Sequence, residues 1–93
     1  MMAMGDWDHM MRALGPDASL RKLSEEVAEL HDAVDQVDLP DIMEEAADVM
    51  IPTVSLLTCY GWGLDDLLAA MGRKMLVNLD RRWAISDGVL HHV

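Results

Sequence analysis

The feature that most limits the possible folds is a regular spacing of apolar residues in the first half of the chain. Between Leu20 and Val37, apolar side chains recur at alternating steps of three and four residues. They are Leu20, Leu23, Val27, Leu30, Val34 and Val37. This spacing follows the 3.6-residue turn of an α-helix and lines the side chains up along one stripe. The sequence therefore predicts an amphipathic helix of about five turns.

A second apolar segment follows after a short break at residues 38–41. Pro40 suits the first turn of a new helix, where its missing N–H would have no partner in any case. This helix should end near residue 60. Pro52 lies inside it, and its ring would clash with the carbonyl four residues back, which predicts a kink or a π-type bulge. Two long helices joined so closely are expected to form an antiparallel hairpin.

The remaining residues complete a single predicted domain of 93 residues, in line with the small size of the chain. Residues 1–16 form an N-terminal lead with a short helix, and residues 17–83 form the helical core. Asp65 opens a third helix that should run to about Trp83. Residues 84–93 show no helical period and are interpreted as a tail. Because only 4% of the chain is aromatic and β-branched runs are scarce, we predict an all-α fold: the hairpin plus the third helix.

Charge and composition exclude several functions. The formal net charge of −10 repels nucleic acid backbones, so we expect no nucleic acid partner. The uncharged stretch 49–64 is too short to cross a membrane. It is also too apolar for a small domain to bury on its own, which predicts a homo-oligomer. Cys59 is the only cysteine, and the acidic N-terminus lacks a basic signal region. Both features favour a cytoplasmic location.

Two acidic clusters carry the chemistry. Glu26 and Glu29 are three residues apart, as are Glu45 and Asp48, so each pair shares one helix face. Glu26 with Asp48, and Glu29 with Glu45, are both centred on position 37, beside the predicted turn. In an antiparallel hairpin, residues equidistant from the turn lie side by side. The sequence therefore predicts four carboxylates at one level of the helix pair.

Four clustered carboxylates repel one another, and a divalent cation would remove that penalty. An all-oxygen site favours magnesium, manganese or calcium over zinc or copper. A di-iron site would need Glu-x-x-His pairs, and His31 lies two residues after Glu29 instead. Glu25 lies nearly opposite the apolar stripe and is expected to be solvated unless a partner chain covers it. We predict a magnesium site, with manganese as a possible substitute.

Groups suited to phosphate lie on the predicted third helix. Lys74, Asn78 and Arg81 are spaced by four and three residues and would share one face. Lys and Arg bind phosphate oxygens, although basic residues near a helix C-terminus also simply complement its dipole. Trp7 and Trp83 are weaker candidates for stacking on a base, because a large aromatic residue in a small protein more often packs in the core or at an interface.

These residues resemble the MazG-like, all-α nucleoside triphosphate pyrophosphohydrolases, whose pattern is EExxE followed by ExxD. In this chain the pattern reads Glu25-Glu26-x-x-Glu29 and Glu45-x-x-Asp48. The resemblance covers about residues 17–83 and includes the later Lys–Asn–Arg helix. It implies a hairpin that dimerises, or pairs dimers, into a four-helix-bundle-like homodimer or homotetramer.

The resemblance also implies the reaction, which is magnesium-dependent hydrolysis of ribo- or deoxyribonucleoside triphosphates to the monophosphate and pyrophosphate. Glu26, Glu29, Glu45 and Asp48 would hold magnesium, and Glu25 or Glu29 would orient or deprotonate the attacking water. Lys74, Asn78 and Arg81 would then bind the phosphates. Phosphoribosyl-ATP is a possible substrate variant. The alternatives from other classes are a non-catalytic helical module that binds a partner protein and, with less support, a calcium or magnesium buffer.

Overall fold

The computed structural model describes residues 3–93, except for the side chain of Met4. They form four helices and one β-hairpin: α1 (Met4–Leu14), α2 (Pro16–Gln36), α3 (Leu39–Thr58), α4 (Leu64–Asp80), β1 (Trp83–Ser86) and β2 (Val89–His92). The chain divides into two compact units, of which the first ends at Gly63 and the second comprises Leu64–Val93. Within the described residues, no helix combines the length and the apolar character that crossing a membrane requires.

The break between α1 and α2 lies at Gly15 and Pro16, as predicted. Gly15 has a positive φ of 84°, a conformation that glycine adopts without the steric cost that a side chain would add. Pro16 is the first residue of α2, so the helix begins one residue before the predicted core boundary at residue 17. Proline favours this position because its fixed φ is already helical and no N–H is lost there.

Helices α2 and α3 form the predicted hairpin and make the most extensive contact between helices. Only Val37 and Asp38 connect them. Val37 adopts a left-handed conformation with φ of 54°, and the Asp38 side chain accepts a hydrogen bond of 3.2 Å from the backbone N–H of Asp41. These features end one helix and cap the next, so the chain reverses within two residues and the helices run antiparallel.

Helix α3 continues through Pro52, which is buried. No π-type turn is assigned anywhere in the described residues of this helix. The π-type bulge that was predicted as one possible effect of Pro52 is therefore absent from them. Next to it, the Thr53 hydroxyl donates a hydrogen bond of 3.0 Å to the carbonyl oxygen of Val49. The helix therefore tolerates one missing N–H without a change of helical type.

Helix α1 packs on both long helices. The indole Nε1 of Trp7 donates a hydrogen bond of 3.2 Å to the Ser55 hydroxyl of α3, and Ser55 is buried. Met11 of α1 and Ala33 of α2 are the buried hydrophobic residues among the described side chains. The core of the first unit is therefore small.

The second unit corrects the predicted tail. Residues 83–92 form an antiparallel two-stranded hairpin in which Trp83 pairs with His92 and Ser86 with Val89. Its two-residue turn is Asp87-Gly88, and both residues have positive φ, as a primed hairpin turn requires. Helix α4 ends at Asp80 rather than near Trp83. The fold is thus mostly helical, with a short β-hairpin formed by these residues. The absence of a helical period had been interpreted as an irregular tail, but a short β-hairpin lacks that period as well.

Candidate metal centre

Three of the four predicted metal ligands come together where α2 and α3 face each other. One carboxylate oxygen from each of Glu26, Glu29 and Glu45 lies within 4.8 Å of the other two. The one-turn spacing of Glu26 and Glu29 gives them a common helix face, and the hairpin brings Glu45 to the same level. The arrangement provides three oxygen ligands for a hard divalent cation.

Asp48, the fourth predicted ligand, is half-buried and does not belong to this group of three. Burial is the main cause that raises the pKa of Glu45, and the negative charges of Asp41, Asp48 and Glu26 raise it further. Asp48 therefore acts electrostatically on the site. Asp41 was not among the predicted site residues, although it lies one turn before Glu45 on α3.

The buried oxygens of the site fit a cation. Glu26 is only 5% exposed, and Oε2 of both Glu26 and Glu45 is buried with no hydrogen-bond partner among the described residues. An unpaired carboxylate oxygen out of contact with water is costly. A divalent cation held by these carboxylates would offset that cost, and carboxylate oxygens are ligands that magnesium and manganese accept.

The pKa values of Glu29 and Glu45 reflect the crowding and burial of the carboxylates in the site. The pKa of Glu29 is raised to about 7, first by its hydrogen bond with Glu26, then by the charge of Glu26, burial and Glu45. Burial is the main cause that raises the pKa of Glu45. The crowding of the three carboxyl groups thus favours the protonated form of Glu29, and a bound cation would offset the same negative charge.

Lys22, which was not among the predicted site residues, contacts the site. Its Nζ lies 2.9 Å from Oε1 of Glu26 and 3.6 Å from Oε2 of Glu25. The hydrogen bond from Lys22 is the largest cause that lowers the pKa of Glu26. The signal was present in the sequence, because Lys22 and Glu26 are four residues apart on a predicted helix.

Glu25, predicted as a catalytic residue, lies outside the group of three. Its side chain is 68% exposed and forms the ion pair of 3.6 Å with Lys22. This agrees with its predicted position away from the apolar stripe. The structure thus separates the two candidate proton acceptors, because Glu29 belongs to the carboxylate group and Glu25 does not.

The predicted substrate-binding residues belong to different units: Trp7 lies in the first unit, and the other three lie in the second. Trp7 is half-buried in the first unit, where its polar atom is engaged by Ser55. Lys74 and Asn78 lie on α4, but Arg81 follows the last residue of that helix, so the expected shared face includes only the first two. The backbone carbonyl of Asn78 accepts a hydrogen bond of 2.7 Å from Nε1 of Trp83.

The family model of the MazG nucleotide pyrophosphohydrolase domain matches residues 14–79 of this sequence. The chain belongs to the MazG family. The match includes the three carboxylates of the site, together with Lys22, Asp48 and most of α4. The resemblance inferred from the EExxE and ExxD spacing is confirmed.

Two similar curated proteins are phosphoribosyl-ATP pyrophosphatases. This MazG-family chain is 36% identical to the one from Aromatoleum aromaticum over 62 residues, which are 67% of this chain and 57% of that protein. It is 37% identical to the one from Dechloromonas aromatica over 60 residues, 64% of this chain and 56% of that protein. The chain thus matches less than two thirds of the length of these relatives. No solved structure matches it significantly.

Proposed function

We propose that this MazG-family protein hydrolyses ribo- or deoxyribonucleoside triphosphates to the monophosphate and pyrophosphate, with magnesium as cofactor and manganese as a substitute. The observation that carries the proposal is the group formed by Glu26, Glu29 and Glu45, in which two buried carboxylate oxygens have no partner among the described residues. Membership of a pyrophosphohydrolase family supports the same reaction.

Glu26, Glu29 and Glu45 would hold the cation, and Asp48 would complete the acidic site as a further ligand or as a neighbouring charge. A divalent cation in such a site offsets phosphate charge and activates water. The carboxylates fix the position at which the triphosphate binds. Their negative charge also makes nucleotide binding depend on the cation, because an unaccompanied triphosphate would be repelled.

In the reaction, water attacks the α-phosphorus, the bond to the bridging oxygen breaks, and pyrophosphate leaves. A side chain must accept the proton of the water. Glu25 and Glu29 are the two candidates, and we propose Glu25. Glu29 belongs to the proposed cation site, whereas the Glu25 carboxylate lies outside the group of three. Although it is paired with Lys22 at 3.6 Å, Glu25 is 68% exposed, so it would be accessible to accept a proton.

Phosphate binding is proposed for Lys74, Asn78 and Arg81. The residues after Gly63 contain four of the seven Lys and Arg side chains and only four of the 17 acidic ones. The net charge of −10 therefore resides entirely in the residues before Leu64. Cationic side chains in this less acidic unit are suited to phosphate oxygens. Trp7 remains a proposal for base stacking only.

Phosphoribosyl-ATP is the second candidate substrate, and the names of the two similar curated proteins favour it. Hydrolysis would break the same α,β-phosphoanhydride bond of a 5′-triphosphate, so the same carboxylates would serve. The difference between the substrates lies in the base and its substituent. The proposed metal site therefore applies to both.

A homodimer or homotetramer with a four-helix-bundle-like core is proposed as the working assembly, in a cytoplasmic location. Large apolar side chains of the hairpin are exposed, including Val27 and Val34 on α2 and Met43 and Met50 on α3. Few hydrophobic residues are buried within the described part of the chain. Packing of a second hairpin against these side chains would supply the missing core.

The test is pyrophosphate release from a panel of nucleoside triphosphates and phosphoribosyl-ATP, with and without magnesium, for the wild type and Glu45→Ala. We expect metal-dependent release that Glu45→Ala abolishes while circular dichroism shows a retained fold. The panel also ranks the two substrate classes. Absence of release from every substrate would contradict the enzyme and favour a helical binding module, or a cation buffer if magnesium binds tightly without nucleotide.

A further inference from the structure

We infer that Lys22 is a positioning residue that orients the Glu26 carboxylate for cation binding. It holds one oxygen of that carboxylate and leaves the other, buried oxygen available to the metal. The inference rests on the proposed metal site and deepens it. Nothing in the EExxE and ExxD pattern includes this lysine.

The two oxygens of Glu26 have different surroundings. Oε1 lies 2.9 Å from Nζ of Lys22, whereas Oε2 is buried and has no hydrogen-bond partner among the described residues. One oxygen is therefore tied by a charge-assisted hydrogen bond, and the other is left for a further ligand. A side chain that binds a metal through one oxygen is commonly fixed by a hydrogen bond to its other polar atom.

The ion pair has an asymmetry that ordinary surface pairs lack. The Lys22 side chain is 46% exposed, but that of Glu26 is only 7% exposed. An ion pair between two exposed side chains does little to fix the position of either one, because both side chains move and water competes for their charged groups. Here one partner is confined between the helices, so the lysine determines which carboxylate oxygen remains unpaired. Lys22 lies one turn before Glu26 on α2, so the helix keeps the spacing between the two side chains fixed.

A purely electrostatic role for Lys22 would have the opposite consequence. A positive charge beside a cation site repels the cation, so its removal would tighten metal binding. An orienting role predicts weaker binding after removal, since the freed carboxylate can rotate away from the site. The sign of the change in metal affinity therefore distinguishes the two roles.

The experiment measures Mn²⁺ binding by electron paramagnetic resonance in the absence of nucleotide. Lys22→Met should weaken binding by about 10-fold or more, the usual effect of removing a group that orients a metal ligand. Lys22→Arg, which can still donate to Oε1, should restore most of the affinity. Arg12→Met is the matched control, because it removes one positive charge from the same unit at an exposed position on α1, and its affinity should stay within about twofold of the wild type.

The other outcomes are equally decisive. Unchanged or tighter Mn²⁺ binding by Lys22→Met, with the fold confirmed by circular dichroism, would overturn the inference and leave the proposed function intact. Equal weakening in Lys22→Arg would also overturn it, because a donor at that position would then have no effect. Failure of the wild type to bind Mn²⁺ would overturn both the inference and the proposed metal site.

Discussion

Glu29 on α2 and Glu45 on α3 bring carboxylate oxygens within 4.8 Å of each other. Glu26 completes the group, and the hydrogen bond between Glu26 and Glu29 raises the pKa of Glu29 to about 7. The protein thus places like charges together, and this crowding favours the protonated form of Glu29. This relationship has consequences for stability as well as for catalysis.

The metal-free protein should lose stability as the pH rises from about 4.5 to 7. Glu29 has a raised pKa of about 7 against an ordinary value of 4.5, so in this range the folded chain holds more protons than the unfolded chain. Stability then falls with increasing pH and levels off above about 7. The raised pKa of Glu45 acts in the same direction. Thermal unfolding in a chelator between pH 5 and 8 measures the slope.

Glu29→Gln is the control for this slope, because it removes the carboxyl group whose pKa is raised to about 7. The variant should have a flatter profile and a higher melting temperature than the wild type at pH 8. Magnesium should raise the wild-type melting temperature more at pH 8 than at pH 5, where protons compete with it. Identical profiles for the wild type and Glu29→Gln would contradict the attribution of the slope to Glu29.

Glu25→Gln and Glu29→Gln should separate proton transfer from metal binding. Glu25 lies outside the carboxylate group, so its amide should reduce kcat by about 100-fold or more and leave Mn²⁺ affinity nearly unchanged. Glu29→Gln removes a ligand and should weaken both. The measurements are metal titration and steady-state pyrophosphate release. A variant Glu25→Gln with wild-type turnover would exclude Glu25 as the proton acceptor.

The hydrogen bond between Trp7 and Ser55 should hold α1 on the long helices. In a double-mutant cycle of Trp7→Phe and Ser55→Ala, the coupling energy should be about 1 kcal/mol, the usual net value for a partly buried hydrogen bond. Each single variant should unfold at a lower urea concentration than the wild type. Additive effects of the two substitutions would mean that the contact of 3.2 Å contributes no stability of its own.

The Asp87-Gly88 turn should not tolerate a side chain at its second position. Gly88 has φ of +73°, so Gly88→Ala should destabilise the hairpin by roughly 1–2 kcal/mol. Gly72→Ala is the matched control, because Gly72 lies inside α4 and a Cβ there meets nothing within 4 Å. That substitution should stabilise the helix by up to about 1 kcal/mol. Amide hydrogen exchange of residues 83–92 would show faster exchange for Gly88→Ala only.

Local rules explain what could be predicted from the sequence. The apolar spacing from Leu20 to Val37 predicted α2 because a helix repeats every 3.6 residues whatever surrounds it. The Gly15-Pro16 break likewise lay where predicted, since its conformational preferences are local. The terminal hairpin was missed although Asp87-Gly88 is a strong turn signal. Its strands are only four residues long, too short to show a clear alternating pattern.

The sequence alone determined the helical hairpin and placed acidic residues of both helices at similar distances from its turn. Both follow from counting residues on either side of one turn, and the spacing was specific enough to indicate the MazG family. Only the tertiary structure decided which carboxylates meet, because burial and distance depend on how α2 and α3 pack. It brought Glu26, Glu29 and Glu45 together, left Asp48 outside that group and placed Lys22 beside one oxygen of Glu26. A linear sequence carries the order of the charges, but their pKa values depend on distances that only packing sets.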